Sequence, residues 1–460
     1  SLRLAAQWVH DCFSNHNGCQ RSTHMSGDPP WPTRVIDVGI SDTDTVRLIV
    51  SDGTIKGKWA ALSYRWGDVS SKSKETQSAT MANLGSLQDE VPSNLLSATF
   101  LDAIRITRSL GLRYLWIDRL CILQDSDSDW MKEAAHMPLI YQNAQITIAA
   151  GSSNDGASGI FGNRKWAESS RQIDLPILSE EEISRVSIDF DTDLFQSSLE
   201  SNCLNSRAWC FQEAQLSRRR LVFDREQTSF VCLQHGLQEK WASIEKVHPS
   251  YGFLVNKEPK LYKPIQSCTS DMLLIWYDMI EDYSGRDLTF ATDRLVAIAG
   301  IAELVGQVLK DDYVAGMWKS TLPNSLLWSP HIKSSILEVD TYAKCSRPHA
   351  YTAPSWSWAA VCGKVWSSLC RQSWNRSPVT VLNVSTDADS TGPYGPINTG
   401  YLRIQSPLKR GHVTYVAAGD GEINRWPHKL FPGNPTTAVH CIFDIPSQHH
   451  QGSMEQLWCF

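Results

Sequence analysis

Between residues 58 and 225 the chain alternates strand-like and helix-like segments. No other feature of its 460 residues restricts the fold as much. Residues 59–64 are a short apolar run that reads as a strand. Residues 94–110 carry Leu96, Phe100, Ala103 and Leu110 at helical spacing, with Gly111 placed as a stop signal. A second strand follows at 113–118, a helix at 127–143 that Pro138 can kink, and a β-branched third strand at 145–150. Residues 152–205, rich in Ser, Asn, Gly and acidic side chains, read as an insertion with short strands. A helix at 208–217 and a strand at 220–223 then resume the pattern. Strand–helix alternation predicts an α/β fold: a parallel sheet with helices on its faces.

The flanks differ in character. Residues 1–57 read as a helix and loop followed by a β-hairpin, marked by Val35, Ile36, Val38, Val46, Leu48 and Val50, with Asp52-Gly53 at a turn. Residues 226–345 read as mainly helical, with helices at 272–282 and 293–309 and Thr292 as the N-cap of the second. Residues 346–460 alternate short apolar runs with Gly, Pro, Asn and Asp, a β-rich C-terminal unit.

Composition removes several function classes. Net charge is -6, and the one basic cluster, Arg218-Arg219-Arg220, stands beside a strand, so a nucleic-acid partner is not expected. The longest apolar run, residues 295–302, falls far short of the ~20 residues of a membrane span, so no membrane association is expected either. No secretory leader pattern follows Ser1. The 12 cysteines form no even framework and no Cys-x-x-Cys pair. Reduced thiols, no disulfides and a cytoplasmic location are the expectation. The 18 tryptophans read chiefly as core anchors. Cys12, His16 and Cys19, with His24 beyond, are zinc-ligand types, but their spacing matches no common finger and a fourth ligand is not evident. A packed helix end with reduced thiols is the preferred reading, and no metal is assigned.

Ligands of open parallel sheets bind outside the carboxyl ends of the strands. Those ends carry three polar clusters. The first holds Tyr64, Arg65, Trp66 and Asp68; the second Asp118, Cys121 and Gln124; the third Gly151 and Ser152. The helix at 208–217 adds Arg207, Trp209, Gln212 and Glu213, the glutamate standing one turn after the tryptophan. Such a rim suits a polar, partly aromatic small molecule. Structural alternatives stay open: Asp118 as a cap or a partner of Arg65, Arg207 with Glu213 as an ion pair, and Cys121 as a small buried hydrophobe.

Three blocks resemble the HET (heterokaryon incompatibility) domain of filamentous fungi, in order: Ala61-Leu-Ser-Tyr-Arg-Trp-Gly-Asp68, Tyr114-Leu-Trp-Ile-Asp-Arg-Leu-Cys-Ile-Leu-Gln-Asp125 continuing to Ile140-Tyr-Gln-Asn-Ala144, and Arg207-Ala-Trp-Cys-Phe-Gln-Glu-Ala-Gln-Leu-Ser217. Trp8 with Cys12, His16 and Cys19, Pro32-Thr-Arg34, Tyr283-Ser284, Asp293-Arg294-Leu295 and Pro354-Ser-Trp-Ser-Trp358 are also similar to longer family members. A second resemblance is to TIR domains. Leu62-Ser-Tyr-Arg-Trp-Gly-Asp68 looks like their first box with Trp66 added, and Ser206-Arg-Ala-Trp-Cys-Phe-Gln-Glu213 looks like the segment bearing the glutamate of NAD-cleaving members, displaced by one residue before Trp209.

These likenesses imply a TIR/flavodoxin-like parallel-sheet core. They also imply an activity: cleavage of the nicotinamide–ribose bond of NAD, as substrate, through an oxocarbenium-like transition state that Glu213 stabilises. Asp118 would assist, Tyr64 or Trp209 would stack on a ring, and Arg65 or Arg207 would pair with the pyrophosphate. Two other functions stand beside this one. The first is a self-associating signalling module without catalysis. The second is a small-molecule enzyme of fungal secondary metabolism on the same scaffold, with Cys121 or His136 supplying added chemistry.

Overall fold

The computed structural model describes residues 2–20, 30–67, 78–153, 155–161, 202–225, 227–239, 269–330, 346–367, 370, 379–388 and 392–406, together with strands at 172–178, 183–189, 409–414, 428–432, 439–441 and 456–459. Two units are present, Ser1–Lys263 and Pro264–Phe460. Among the described residues no helix is long and apolar enough to cross a membrane.

In the first unit, α1 (Leu2–Asn15) buries Ala5, Trp8, Val9 and Cys12. This i, i+3, i+4, i+7 stripe gives the helix one apolar face. β1 (Arg34–Asp37) and β2 (Arg47–Val50) form the expected antiparallel hairpin. β3 (Trp59–Ser63) is buried along its whole length, as a strand covered on both faces must be. After a short α2 (Leu84–Asp89), α3 (Ala98–Ser109) starts later than its apolar spacing suggests. Ser97 caps it, its side chain accepting from Phe100 N at 3.3 Å, while residues 93–95 form a separate 3-10 turn. The helix stops where Gly111 adopts φ +70, a left-handed turn that glycine enters without strain.

β4 (Tyr114–Trp116) follows, and the chain turns at once into the one-turn α4 (Asp118–Cys121). Asp118 therefore begins a helix rather than ending a strand. α5 (Asp127–Asn143) spans the expected range with Pro138 inside it, capped by Ser126. β5 (Ile146–Ala149) is fully buried. Within the insertion, β6 (Gln172–Leu178) and β7 (Ile183–Asp189) pair as an antiparallel hairpin. The core resumes with α6 (Ala208–Leu216) and β8 (Arg219–Phe223), and β9 (Thr228–Cys232) and β10 (Gly236–Gln238) carry the sheet beyond residue 225.

All of these strands except β6 and β7 join one eight-stranded sheet in the order β10-β9-β8-β5-β3-β4-β1-β2. β4, β3, β5 and β8 run parallel; the strands outside them are antiparallel. Numbered among themselves, the parallel strands lie in the order 2-1-3-4 of flavodoxin-like sheets. The winding direction reverses between β3 and β5, and the crevice at such a switch point is the ordinary place for a ligand.

A buried polar frame steadies the rim from below. Arg34, 5% exposed, donates to the Cys121 carbonyl at 2.6 Å and to Asp129 at 2.5 Å. Glu133, fully buried, lies 3.7 Å from the same guanidinium. Asp129 in turn accepts from Leu123 N at 2.8 Å, so the segment after Asp118 is held by its backbone.

In the second unit, α7 (Thr269–Ser284) is longer than its predicted core. Residues 291–298 form two 3-10 turns, and α8 (Ala299–Leu309) starts only at Ala299, so Thr292 is not its N-cap. The reason is tertiary. The Arg294 carbonyl accepts from the Tyr283 hydroxyl at 2.6 Å, and the Arg294 guanidinium donates to the Ser284 and Gly363 carbonyls, each at 3.1 Å. Short hairpins β11 (Tyr313–Val314) with β12 (Met317–Trp318), and β13 (Ser329–Pro330) with β14 (Val365–Trp366), precede the long hairpin of β15 (Thr380–Ala388) and β16 (Ile397–Gln405). The remaining strands, β17 (Lys409–Thr414), β18 (His428–Pro432), β19 (Val439–Cys441) and β20 (Gln456–Cys459), form an antiparallel sheet, giving the β-rich C-terminal part.

Candidate functional site

Parallel pairing brings Ser63, Tyr64, Arg65 and Trp66 to the carboxyl end of β3, beside the ends of β4 and β5. Asp68 lies outside the described residues. Gly67 takes φ +78, and a Cβ there would stand 2.8 Å from Asp155 Cβ, so the turn leaving β3 admits only glycine without strain.

Trp66 Nε1 donates to Asp118 Oδ2 at 2.7 Å, and the Arg119 backbone N–H donates to Oδ1 at 2.6 Å. The Arg119 guanidinium lies 5.3 Å from the centre of the Trp66 ring. Trp66 is thereby pinned between a cation and a carboxylate. Burial pushes the Asp118 carboxyl above its ordinary range; Trp66, Arg119 and Arg207 hold it down in part.

α6 reaches this rim because its approach is tied to the end of β5. Cys203 N donates to the Gly151 carbonyl at 3.2 Å, and Asn202 bonds Asp224 at 2.7 Å while capping the 3-10 turn at 203–206. A Cβ on Gly151 would stand 2.6 Å from Asn202 Nδ2, so a side chain at that position would displace this tie. At its far end, Ser217 donates to the Glu213 carbonyl and meets Thr147 of β5, both at 2.6 Å.

Glu213 comes to lie beside Ser63, 5% exposed. Burial lifts its carboxyl to about 7; Asp118 adds repulsion, while Ser63, Arg207 and Cys210 oppose the rise. Its Oε2 has no hydrogen-bond partner among the described residues, nor has the hydroxyl of Tyr64, which is 4% exposed. Asp118 is nevertheless near enough to raise the Tyr64 phenol further above its ordinary range, after burial has done most of it. Tyr141, whose hydroxyl donates to the Leu62 carbonyl at 2.9 Å, feels Glu213, Asp118 and Tyr64 together.

Asp118, Glu213, Tyr64 and Trp66 thus form one cluster, Tyr64 and Glu213 buried and Asp118 and Trp66 half-buried, to which Arg207 contributes charge. Other predicted site residues sit differently. Arg65 is half-buried and sensed by Cys203. Gln124 turns back on its own backbone, donating to Ile122 O at 3.0 Å. Trp209 is half-buried, edge-on to Trp130 at 6.3 Å, and Gln212 is buried. Tyr64 packs edge-on to Phe100 at 5.2 Å, so it offers a hydroxyl rather than a ring face. Cys121 is fully buried, its thiol pushed up to about 12, and His136 lies on an exposed face of α5. Sequence reading passed over Ser63 and Tyr141, although both stand inside the blocks Ala61–Asp68 and Ile140–Ala144 that mark the rim.

A second cluster lies at the sheet's far edge, where Cys232 of β9 meets Cys12, His16 and Cys19.

Residues 59–213 match the family model described as Heterokaryon incompatibility protein (HET). No curated protein and no solved structure matches the chain. The matched span runs from the first residue of β3 to Glu213 and contains every strand end and helix turn that builds the rim. The chain therefore carries a heterokaryon incompatibility (HET) domain across residues 59–213.

Proposed function

We propose that the HET domain hydrolyses the N-glycosidic bond of a nicotinamide dinucleotide, with Glu213 stabilising the ribosyl cation. One observation carries the reading: a buried carboxylate with an oxygen that has no hydrogen-bond partner among the described residues, beside a second carboxyl and a tyrosine hydroxyl equally without one among them, at the switch point of a flavodoxin-like sheet. Buried polar atoms are nearly always hydrogen-bonded, and a catalytic or ligand-binding role is one reason for an exception.

The C1′–N bond breaks and its electron pair returns to the nicotinamide ring, discharging the ring's positive charge. No strong acid is needed for that leaving group. Positive charge develops at C1′, where the Glu213 carboxylate stabilises it. Water then bonds to C1′ and releases a proton. Arg207 and Arg65, both partly exposed, would meet the pyrophosphate, and the half-buried Trp209 would offer the aromatic ring. Asp118, held by Trp66, keeps the local field negative.

The test is nicotinamide release from NAD by the purified chain. Glu213→Gln keeps shape and removes charge, so turnover falls by roughly 100–1,000-fold while the fold survives. Full activity in this variant, or no release by the wild type at any protein concentration, overturns the reading.

A second reading is a self-associating signalling module without turnover; the 5% exposure of Glu213 leaves little of its carboxyl open to a substrate. The thiol-dependent small-molecule enzyme draws no support from Cys121, which is fully buried.

A further inference from the structure

We propose that Cys12, His16, Cys19 and Cys232 bind one zinc ion that clips the N-terminal helix to the end of β9. Their ligand atoms all lie within 4.8 Å of one another, and Cys232 Sγ stands 3.4 Å from His16 Nδ1. A tetrahedral zinc with Zn–S of about 2.3 Å and Zn–N of about 2.0–2.1 Å has S···N edges of about 3.6 Å and S···S edges of about 3.8 Å. The Cys232–His16 edge already stands near its value, and no edge exceeds its target by more than about 1.2 Å. Three sulfurs and one imidazole are a soft donor set, which selects zinc over magnesium or calcium.

The surroundings are built for thiolates. The His235 backbone N–H donates to Cys232 Sγ at 3.3 Å, and Arg219 Nε donates to Cys12 Sγ at 3.2 Å. Three thiolates and a zinc ion carry one net negative charge, and the Arg219 guanidinium, 4% exposed, neutralises it. The same guanidinium donates to the Cys19 carbonyl at 2.8 Å, which fixes the loop that delivers this ligand. Cys12 and His16 stand one helical turn apart, linked by His16 N to Cys12 O at 3.2 Å; Cys19 N returns to His16 O at 3.0 Å. The loops pass closely: a Cβ on Gly18 would lie 2.9 Å from Gln234 Nε2.

Four protein donors fill the tetrahedron, so the site is structural rather than catalytic. It joins residues some two hundred apart, the kind of long closure in which a clip constrains the unfolded chain most.

The experiment is elemental analysis of the full chain, purified reduced and without chelator. About one zinc per chain is expected, and Cys232→Ser, left with three protein ligands, should hold zinc at least tenfold more weakly, read by competition with a zinc chelator. His16→Cys supplies a fourth thiolate and retains zinc, which separates ligand loss from misfolding. Cobalt(II) added to the metal-stripped wild type should give sulfur-to-cobalt charge-transfer absorption with the band pattern of a tetrahedral site. A folded wild type without stoichiometric zinc and without that absorption refutes the proposal. So does iron in place of zinc, a disulfide joining any two of Cys12, Cys19 and Cys232, or a zinc affinity in Cys232→Ser equal to that of the wild type.

Discussion

The Glu213 carboxyl makes the HET domain less stable as pH rises, and Glu213→Gln should reverse this. Burial lifts the group from 4.5 to about 7. Between those values the unfolded chain has released its proton and the folded chain still holds it. The folded state binds more protons, so stability falls as pH climbs through that window and levels off above about 7. At about 1.4 kcal/mol per pH unit the loss amounts to about 3 kcal/mol. Glutamine is a neutral isostere and avoids it. Near pH 5 the two proteins should be equally stable; near pH 8 the variant should be the more stable by about 3 kcal/mol. Asp118, whose carboxyl is also raised, contributes with the same sign to both proteins and largely cancels from the comparison. Urea unfolding at a series of pH values reads the difference directly from the midpoints. A stability difference that is the same near pH 5 and pH 8 would refute the reasoning, because it would mean that Glu213 is solvated and titrates normally. Under the proposed chemistry the same variant loses turnover, and wild-type turnover rises with pH through about 7 as the carboxylate forms.

Arg34→Ala removes the cation that pairs with both Asp129 and Glu133, so unfolding free energy should drop by about 3–5 kcal/mol, checked by denaturant titration. Trp66→Phe deletes the 2.7 Å bond to Asp118, and a charge-assisted bond of this kind contributes about 1.5–3 kcal/mol; thermal unfolding near pH 8 should show that loss, and the Asp118 carboxyl should move further up. Cys121→Ser places a hydroxyl where a fully buried thiol stood, costing about 1–3 kcal/mol in stability, while the rate of nicotinamide release stays unchanged.

Much of the core was legible because its periodicities are local. The buried run at 59–63, the capped helix Asp127–Asn143 and the β-branched strand Ile146–Ala149 each announce themselves within a few residues. Once strand and helix alternate, parallel pairing follows, and with it the convergence of β3, β4 and β5 at one rim. The three sequence blocks also located the HET domain. Its structure places Asp118 and Glu213 in one electrostatic cluster although they stand far apart in the chain.

What stayed hidden depends on partners distant in sequence. Thr292 looks like an N-cap, yet Tyr283 takes the Arg294 carbonyl and the helix waits until Ala299. Tyr64 looks like a stacking ring, yet Phe100 covers it. Cys12, His16 and Cys19 lack a fourth ligand in every local window, because Cys232 reaches them only when β9 packs beside α1. Residue types and short-range spacing specify which elements form and which side chains they expose. Burial, and the charges it brings together, arise only when the chain closes on itself, and in this protein those terms lift the Glu213 carboxyl and gather the four metal-type ligands.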